Sequence, residues 1–400
     1  MKVLKGYPMP FLKSKPLCLA LLLVATSSFA NEENILSKER LEIFELSKKQ
    51  NIENSSKLTK DWINPINYTY SQKYGETYDT TKSYISINQP LFKSGGIFAA
   101  IKYANALEKY SYLDIDLQKK AMIKDATTLL FKIHRNDLSI KKQSLLLDNA
   151  QIDIIRKKEQ VLNGFLDTSF LDNAILEANL RKNVLVELEY QKEELVNNFN
   201  NLASGEYHTF KLPKLSLLNK EEFLTKNLDI KRSNYDIAYK YQFKNMAIAK
   251  YLPTFNVTYD YTKYHDTDNN PSITSTSVEN YGFSVTMPLD IRASNDMQTT
   301  KLDYMKSKIS QNNLILEQNN FFKSKTNKIK MLRKKATIAK SDYELYNSLL
   351  GIISEEKEAG LKTQSDVDTL KNSQTIKSYE LEILKLEEQI ELLELYSKLG

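Results

Sequence analysis

Three histidines, His134, His208 and His265, are the side chains best suited to acid–base or metal chemistry near neutral pH. Their settings argue against both. His134 falls in a long helical stretch, His208 in a linker and His265 in a polar loop between strands, so nothing in their spacing brings them to one pocket. No HExxH, phosphate-binding glycine loop or nucleophile elbow occurs. The one cysteine, Cys18, lies in a segment with the marks of a secretory signal, which leaves the mature chain no disulfide, zinc–cysteine site or thiol nucleophile. The sequence therefore predicts no catalytic residue, no metal site and no cofactor: the chain reads as something other than an enzyme. Asp366 and Asp368, shortly after Gly360, open a helical stretch, where the macrodipole favours acids.

Residues 1–30 carry Lys2, Lys5, Lys13 and Lys15 ahead of an apolar run from Leu17 to Val24, followed by Ser28-Phe29-Ala30, and are expected to be cleaved near Asn31. Loss of four lysines lowers the formal charge from +6 to +2, which removes the compositional case for nucleic acid. Only 10 Gly and 9 Pro interrupt the chain, and 26% of its residues are charged, a composition of long helices. No apolar run in the mature part is long enough for a membrane-spanning helix, so any membrane crossing falls to β-strands.

Two copies of one plan can be laid side by side. The first repeat, 31–218, has a helix, a β-hairpin at 66–89, a long helix at 97–163 and a returning helix at 169–204. The second, 219–400, has a helix, a hairpin at 254–287, a long helix at 291–359 and a returning helix at 365–399. Gly164, Ser169 and Asp172 recur at one fixed offset as Gly360, Ser365 and Asp368. In the strands Phe255, Val257, Tyr259 and Tyr261 alternate with Asn256, Thr258, Asp260 and Thr262; Phe283, Val285 and Met287 alternate with Ser284 and Thr286. A half-buried soluble sheet gives the same alternation. The signal and the tyrosines at the strand ends (Tyr68, Tyr70, Tyr74, Tyr78, Tyr84, Tyr264, Tyr281) favour strands that face lipid. Four strands cannot close a barrel and open edges are not tolerated in hydrocarbon, so such a chain has to oligomerise. Heptad stripes in the returning helices, and two apolar sides on the last one (Tyr379, Ile383, Leu386 against Leu381, Leu384, Leu392), fit helices packed side by side in a cylinder.

In this order the chain resembles the TolC-like outer-membrane efflux protein family over essentially the whole mature sequence. The carriers are Gln89-Pro90-Leu91-Phe92-Lys93-Ser94-Gly95-Gly96, similar to that family's strand-to-helix motif and matched by Met287-Pro288-Leu289 in the second copy, then Tyr251-Leu252-Pro253-Thr254-Phe255, and the glycine turns at Gly164 and Gly360. The resemblance implies a mainly α protein with a membrane β-barrel portion. Its long antiparallel helices form a trimeric α-barrel in the periplasm, and each chain gives four strands to a shared twelve-stranded barrel in the bacterial outer membrane. It implies a passive exit duct for drugs, ions or secreted polypeptides, partnered by a periplasmic adaptor and an inner-membrane pump of RND, ABC or MFS type. It places adaptor docking at the tips, Asn163-Gly164-Phe165 and Ala359-Gly360-Leu361, and an entrance constriction at Asp366, Asp368 and Lys362. At that constriction Lys357 and Lys362 stand where the family has a tyrosine and an arginine, and Phe170 replaces a partner acid. A secreted coiled-coil structural or adhesion protein is the alternative; it accounts for the heptads and the signal but not for the hairpins.

Overall fold

The computed structural model describes residues 35–266, 270 and 272–400. The expected signal segment 1–30 lies outside the described residues, as do Thr267, Asp268 and Asn269 of the expected loop. In chain order the elements are α1 (Lys38–Lys60), β1 (Asn67–Lys73), β2 (Thr80–Phe92), α2 (Gly96–Leu162), α3 (Thr168–Asn200), α4 (Lys220–Lys226), α5 (Leu228–Lys250), β3 (Thr254–Asp266), β4 (Ser277–Thr286), α6 (Ala293–Glu358) and α7 (Gln364–Tyr396).

With 67 and 66 residues free of proline, α2 and α6 each extend about 100 Å at ~1.5 Å per residue. The shorter helices stack end to end into rods of matching length. Leu36 bridges Ala203, and Ser37 N–H donates to the Leu202 carbonyl at 3.0 Å, so α1 continues the line of α3. Asn227 bridges Leu399, and Leu228 N–H donates to the Lys398 carbonyl at 2.8 Å, so α5 continues α7. The result is a wall four rods wide: α3 with α1, then α2, then α7 with α5, then α6. Among the described residues no helix is long and apolar enough to cross a membrane.

The solid core sits where the rods join. On one side Leu36, Phe44, Leu130, Ile133 and Phe199 are buried together; on the other, Phe131, Phe223, Ile329, Leu392 and Leu395. Away from this waist the wall is one helix thick, and it is laced by polar links between neighbours: Asn136 Nδ2 donates to the Leu188 carbonyl at 2.7 Å and Gln143 Nε2 to that of Arg181 at 2.8 Å.

The helix expected ahead of the second hairpin is broken at Asn227 into α4 and α5. This fully buried side chain accepts from Ile230 N–H at 3.1 Å as the cap of α5 and donates to Gln318 Oε1 at 3.0 Å. The strand-to-helix expectation at Pro90 also shifts. Pro90 lies inside β2, paired with Asn256, and the turn into α2 is made by Lys93, Ser94 and Gly95. A strand tolerates proline there because β1 pairing has stopped at Ser86 and a register shift falls between Pro90 and Phe92. Gly95, at φ 84°, supplies the left-handed residue that starts α2, with Gly96 as first helical residue, and Pro288 lies in the link from β4 to α6.

Candidate functional site

The four strands form one antiparallel sheet in the order β1-β2-β3-β4, so β1 and β4 are edges without a partner among the described residues. Register sorts the side chains by face, because residues directly opposite in an antiparallel pair share a side. Tyr68, Ile85, Tyr261 and Glu279 make one cross-strand row; Ile87, Tyr259 and Tyr281 the next; then Gln89 with Val257 and Phe283, and Phe92 with Phe255 and Val285, so that Glu279 at one end and Gln89 are the polar members of a mainly apolar face. This apolar band covers about 20 Å along the strands at ~3.3 Å per residue. Among the described residues nothing covers its edge strand: Tyr281 is 87% and Phe283 74% exposed. The opposite face carries Thr69, Ser86, Asn88, Asn256, Thr258, Asp260 and Ser284.

Two of the expected belt tyrosines belong to that polar face. Tyr84 and Tyr264 flank Lys82, whose Nζ lies 5.8 and 6.0 Å from their ring centroids. His265 is likewise in a strand, not a loop: it is the penultimate residue of β3, its Nε2 is 2.7 Å from Ser83 Oγ, and its ring lies 6.1 Å from that of Tyr70. His134 stands in α2 against Tyr207, where burial lowers its pKa. His265 is thus remote in sequence and in partners from the other two, and among the described residues no group of three or more His, Cys, Asp or Glu could hold a metal.

At the other end of the rods the two glycine turns have one geometry. Gly164 and Gly360 adopt φ 74° and 78°. Phe165 N–H reaches back to the Gln160 carbonyl at 2.8 Å and Gly164 N–H to that of Val161 at 3.0 Å; Leu361 and Gly360 repeat both bonds onto Glu356 and Lys357. These are Schellman stops, in which glycine avoids the Cβ clash of the left-handed region. The apolar residue that follows such a turn usually folds onto the helix. Here Phe165 is 79% and Leu361 74% exposed, and Leu162 beside Asn163 is exposed as well. The tips therefore present apolar side chains to solvent, a feature that glycine spacing alone did not reveal.

Beyond the second turn Thr363 and Asp366 form a capping box: Asp366 N–H donates to Thr363 Oγ1, and Thr363 N–H donates to Asp366 Oδ2 at 3.0 Å. The free oxygen, Oδ1, accepts from Arg156 Nη2 on α2 at 2.9 Å. Hydrogen bonds from the Thr363 backbone and hydroxyl, and the charge of Arg156, hold the Asp366 carboxyl below its ordinary range. Asp368 accepts from Gln364 Nε2 at 2.8 Å. Lys362 and Lys357 are exposed and have no ion-pair partner among the described residues. The cation that meets Asp366 is therefore Arg156 of α2, which the sequence reading did not single out. Nearby, Lys157 Nζ lies 5.7 Å from the centroid of the Phe170 ring.

No family model and no curated protein sequence matches the chain. Solved structures do. The chain is similar to the outer membrane protein VceC of Vibrio cholerae, at 13% identity and TM-score 0.71, over 92% of this chain and 95% of that one. It is similar to the CmeC outer membrane channel of Campylobacter jejuni, at 13% identity and TM-score 0.68, over 92% and 84%. A membrane protein from Pseudomonas aeruginosa matches at 11% identity and TM-score 0.71, over 98% and 97%. At such identities the likeness is one of fold, and it extends over nearly the whole chain.

Proposed function

We propose that this chain, which has the fold of outer-membrane channels, is itself one subunit of such a channel, a passive duct in the bacterial outer membrane continued into the periplasm by its helices. The sheet is the observation that carries the reading: one face is apolar and uncovered, the other polar, and both edges are open. In lipid every backbone group has to be paired, so the edges need further copies of the same sheet. Three copies close a barrel with the apolar bands outward and the Thr, Ser and Asn face around a wet lumen. The helical wall asks for the same closure, because Leu176 and Leu180 on α3 and Ile338, Leu345 and Ile352 on α6 are exposed along its two outer rods.

Within this reading the tips Asn163-Gly164-Phe165 and Ala359-Gly360-Leu361 dock a periplasmic adaptor through their exposed apolar residues, and an inner-membrane pump of RND, ABC or MFS type supplies the energy. The constriction lies at the start of α7. Asp366 acts there as a strut to Arg156, while Asp368 and Lys362 are left to face the passage. Drugs, ions and polypeptides are the cargo classes, and the chain performs no chemistry on them. The test is single-channel conductance of detergent-extracted protein in planar bilayers, for wild type, Asp366→Ala and Asp368→Ala. A pore in wild type that is wider or less cation-selective in a variant supports duct and constriction together. Protein that extracts without detergent and forms no pore overturns the reading.

A further inference from the structure

We infer that neighbouring subunits are joined by a charge zipper in which Glu187 and Glu194 of α3 meet Lys330, Lys334 and Lys335 of α6 in the next copy. The inference rests on the channel reading above, since it takes the wall to close on itself through its two outer rods.

The α3 face turned away from α2 carries Leu176, Leu180, Glu187, Tyr190 and Glu194, at steps of three, four and seven residues that keep to one side of a helix. The α6 face turned away from α7 carries Met331, Lys334, Lys335, Ile338, Leu345 and Leu349 in the same way. The five charges of the proposed zipper are exposed, and none has an ion-pair partner among the described residues. Other bases of the same α6 stretch are engaged: Lys325 and Lys328 on Glu391 at 2.9 and 2.6 Å, and Arg333 on Glu388 at 2.8 Å. One rim of the wall is therefore acidic and unpaired, and the other basic and unpaired.

Their heights agree. Rotation about an axis along the rods, the operation that closes a ring, leaves height unchanged, so residues that meet across a seam lie at one level in the single chain. A row of contacts fixes that level across all four rods. Arg333 on α6 pairs with Glu388 on α7; the adjacent Glu387 pairs with Arg135 on α2 at 3.5 Å; the adjacent Asn136 donates to the Leu188 carbonyl on α3. Lys334 and Lys335 thus stand level with Glu187. Towards the sheet, Lys330 and Glu194 differ in height by about 5 Å at ~1.5 Å per residue, within the reach of a lysine side chain. A second row runs from Asp342 through Lys377 and Glu380 to Lys142, beside which Gln143 meets Arg181. It places Leu345 near the level of Leu176, with Leu349 about 6 Å nearer the tip and Leu180 about 6 Å nearer the waist. The seam is apolar near the tip and charged nearer the waist. Exposed pairs contribute little affinity, but like charges brought together are costly, so the zipper sets which rims join and in what register.

The test uses the full-length protein in mild detergent, with trimer fraction read by light scattering on a sizing column. The variants are E187K/E194K, K330E/K334E/K335E and the two sets combined. Each set alone is expected to lower the trimer association constant about tenfold or more, and the combination to restore most of it. As a second readout, Glu187→Cys with Lys334→Cys is expected to give covalent trimers with a short bismaleimide, while either cysteine alone does not. Reversed rims that still trimerise like wild type, or a cysteine pair that fails to link within an intact trimer, overturn the zipper and leave the channel reading standing. Wild-type protein that is monomeric and forms no pore overturns both.

Discussion

Asp366→Ala removes two supports from the first turn of α7, and the structure apportions them. The acid of the capping box contributes about 1 kcal/mol in the usual range for caps. The contact with Arg156 joins side chains 41% and 30% exposed, so after screening it contributes about 0.5 kcal/mol. The sum, about 1.5 kcal/mol, makes local opening of that turn roughly tenfold more frequent. Arg156→Ala removes only the ion pair and is expected to raise opening about twofold; Thr363→Ala removes only the cap and raises it about fivefold. Amide hydrogen exchange over residues 361–368 in detergent-extracted protein reads these ratios directly. Because the folded-state carboxyl is depressed below its ordinary 3.8, its contribution is fully present above that value. It is lost as pH falls through the depressed value, so wild-type protection should drop towards the variant's in acid while that of Asp366→Ala stays flat. Arg156→Ala opening the turn as much as Asp366→Ala, or no acid-dependent convergence, would refute the division between cap and strut.

Three further outcomes follow from the same geometry. Gly360→Ala and Gly164→Ala meet nothing within 4 Å, so each costs only the left-handed backbone, about 1 kcal/mol, seen as faster exchange at that tip alone. Asn227→Ala loses the α5 cap and leaves Gln318 unpaired at a buried site, a loss of about 2 kcal/mol visible as a lowered Tm. Val285→Lys places a charge on the apolar face and is expected to destabilise the membrane-inserted form by about 2–4 kcal/mol, measured by folding into lipid vesicles. Thr258→Lys on the polar face leaves insertion intact and changes conductance instead.

Local chemistry was legible in the sequence wherever a residue has few alternatives. Gly164 and Gly360 marked the helix stops because the left-handed residue after a helix is most easily glycine, and β3 was legible in its strict alternation from Phe255 to Tyr261. Where tertiary pairing decides, the sequence misled. Polar residues from Lys263 to Asp266 hid the outer part of β3, which is held as strand by backbone pairing to β2. Pro90 signalled an end to β2 because nothing in the sequence shows that β1 has already stopped beside it. Asn227 was passed over because a helix break without glycine or proline needs a buried partner, Gln318, that lies 91 residues away. Arg156, 210 residues from Asp366, was missed for the same reason: helical periodicity shows which face of α2 it occupies but not which helix lies across from it.

The unbroken length of α2 and α6 restricts how such a chain can change in size. Each residue added to a continuous helix turns everything beyond it by about 100°, so a one-residue insertion in the middle of α2 would swing Arg156 away from Asp366. Seven residues restore the facing within about 20° and lengthen the rod by about 10 Å. A matching seven would be needed in α3, α6 and α7 to keep the two tips level. Lineages of this fold should therefore differ in tube length by whole heptads gained or lost in concert, while the turns, the hairpins and the link between β4 and α6 absorb insertions of any size.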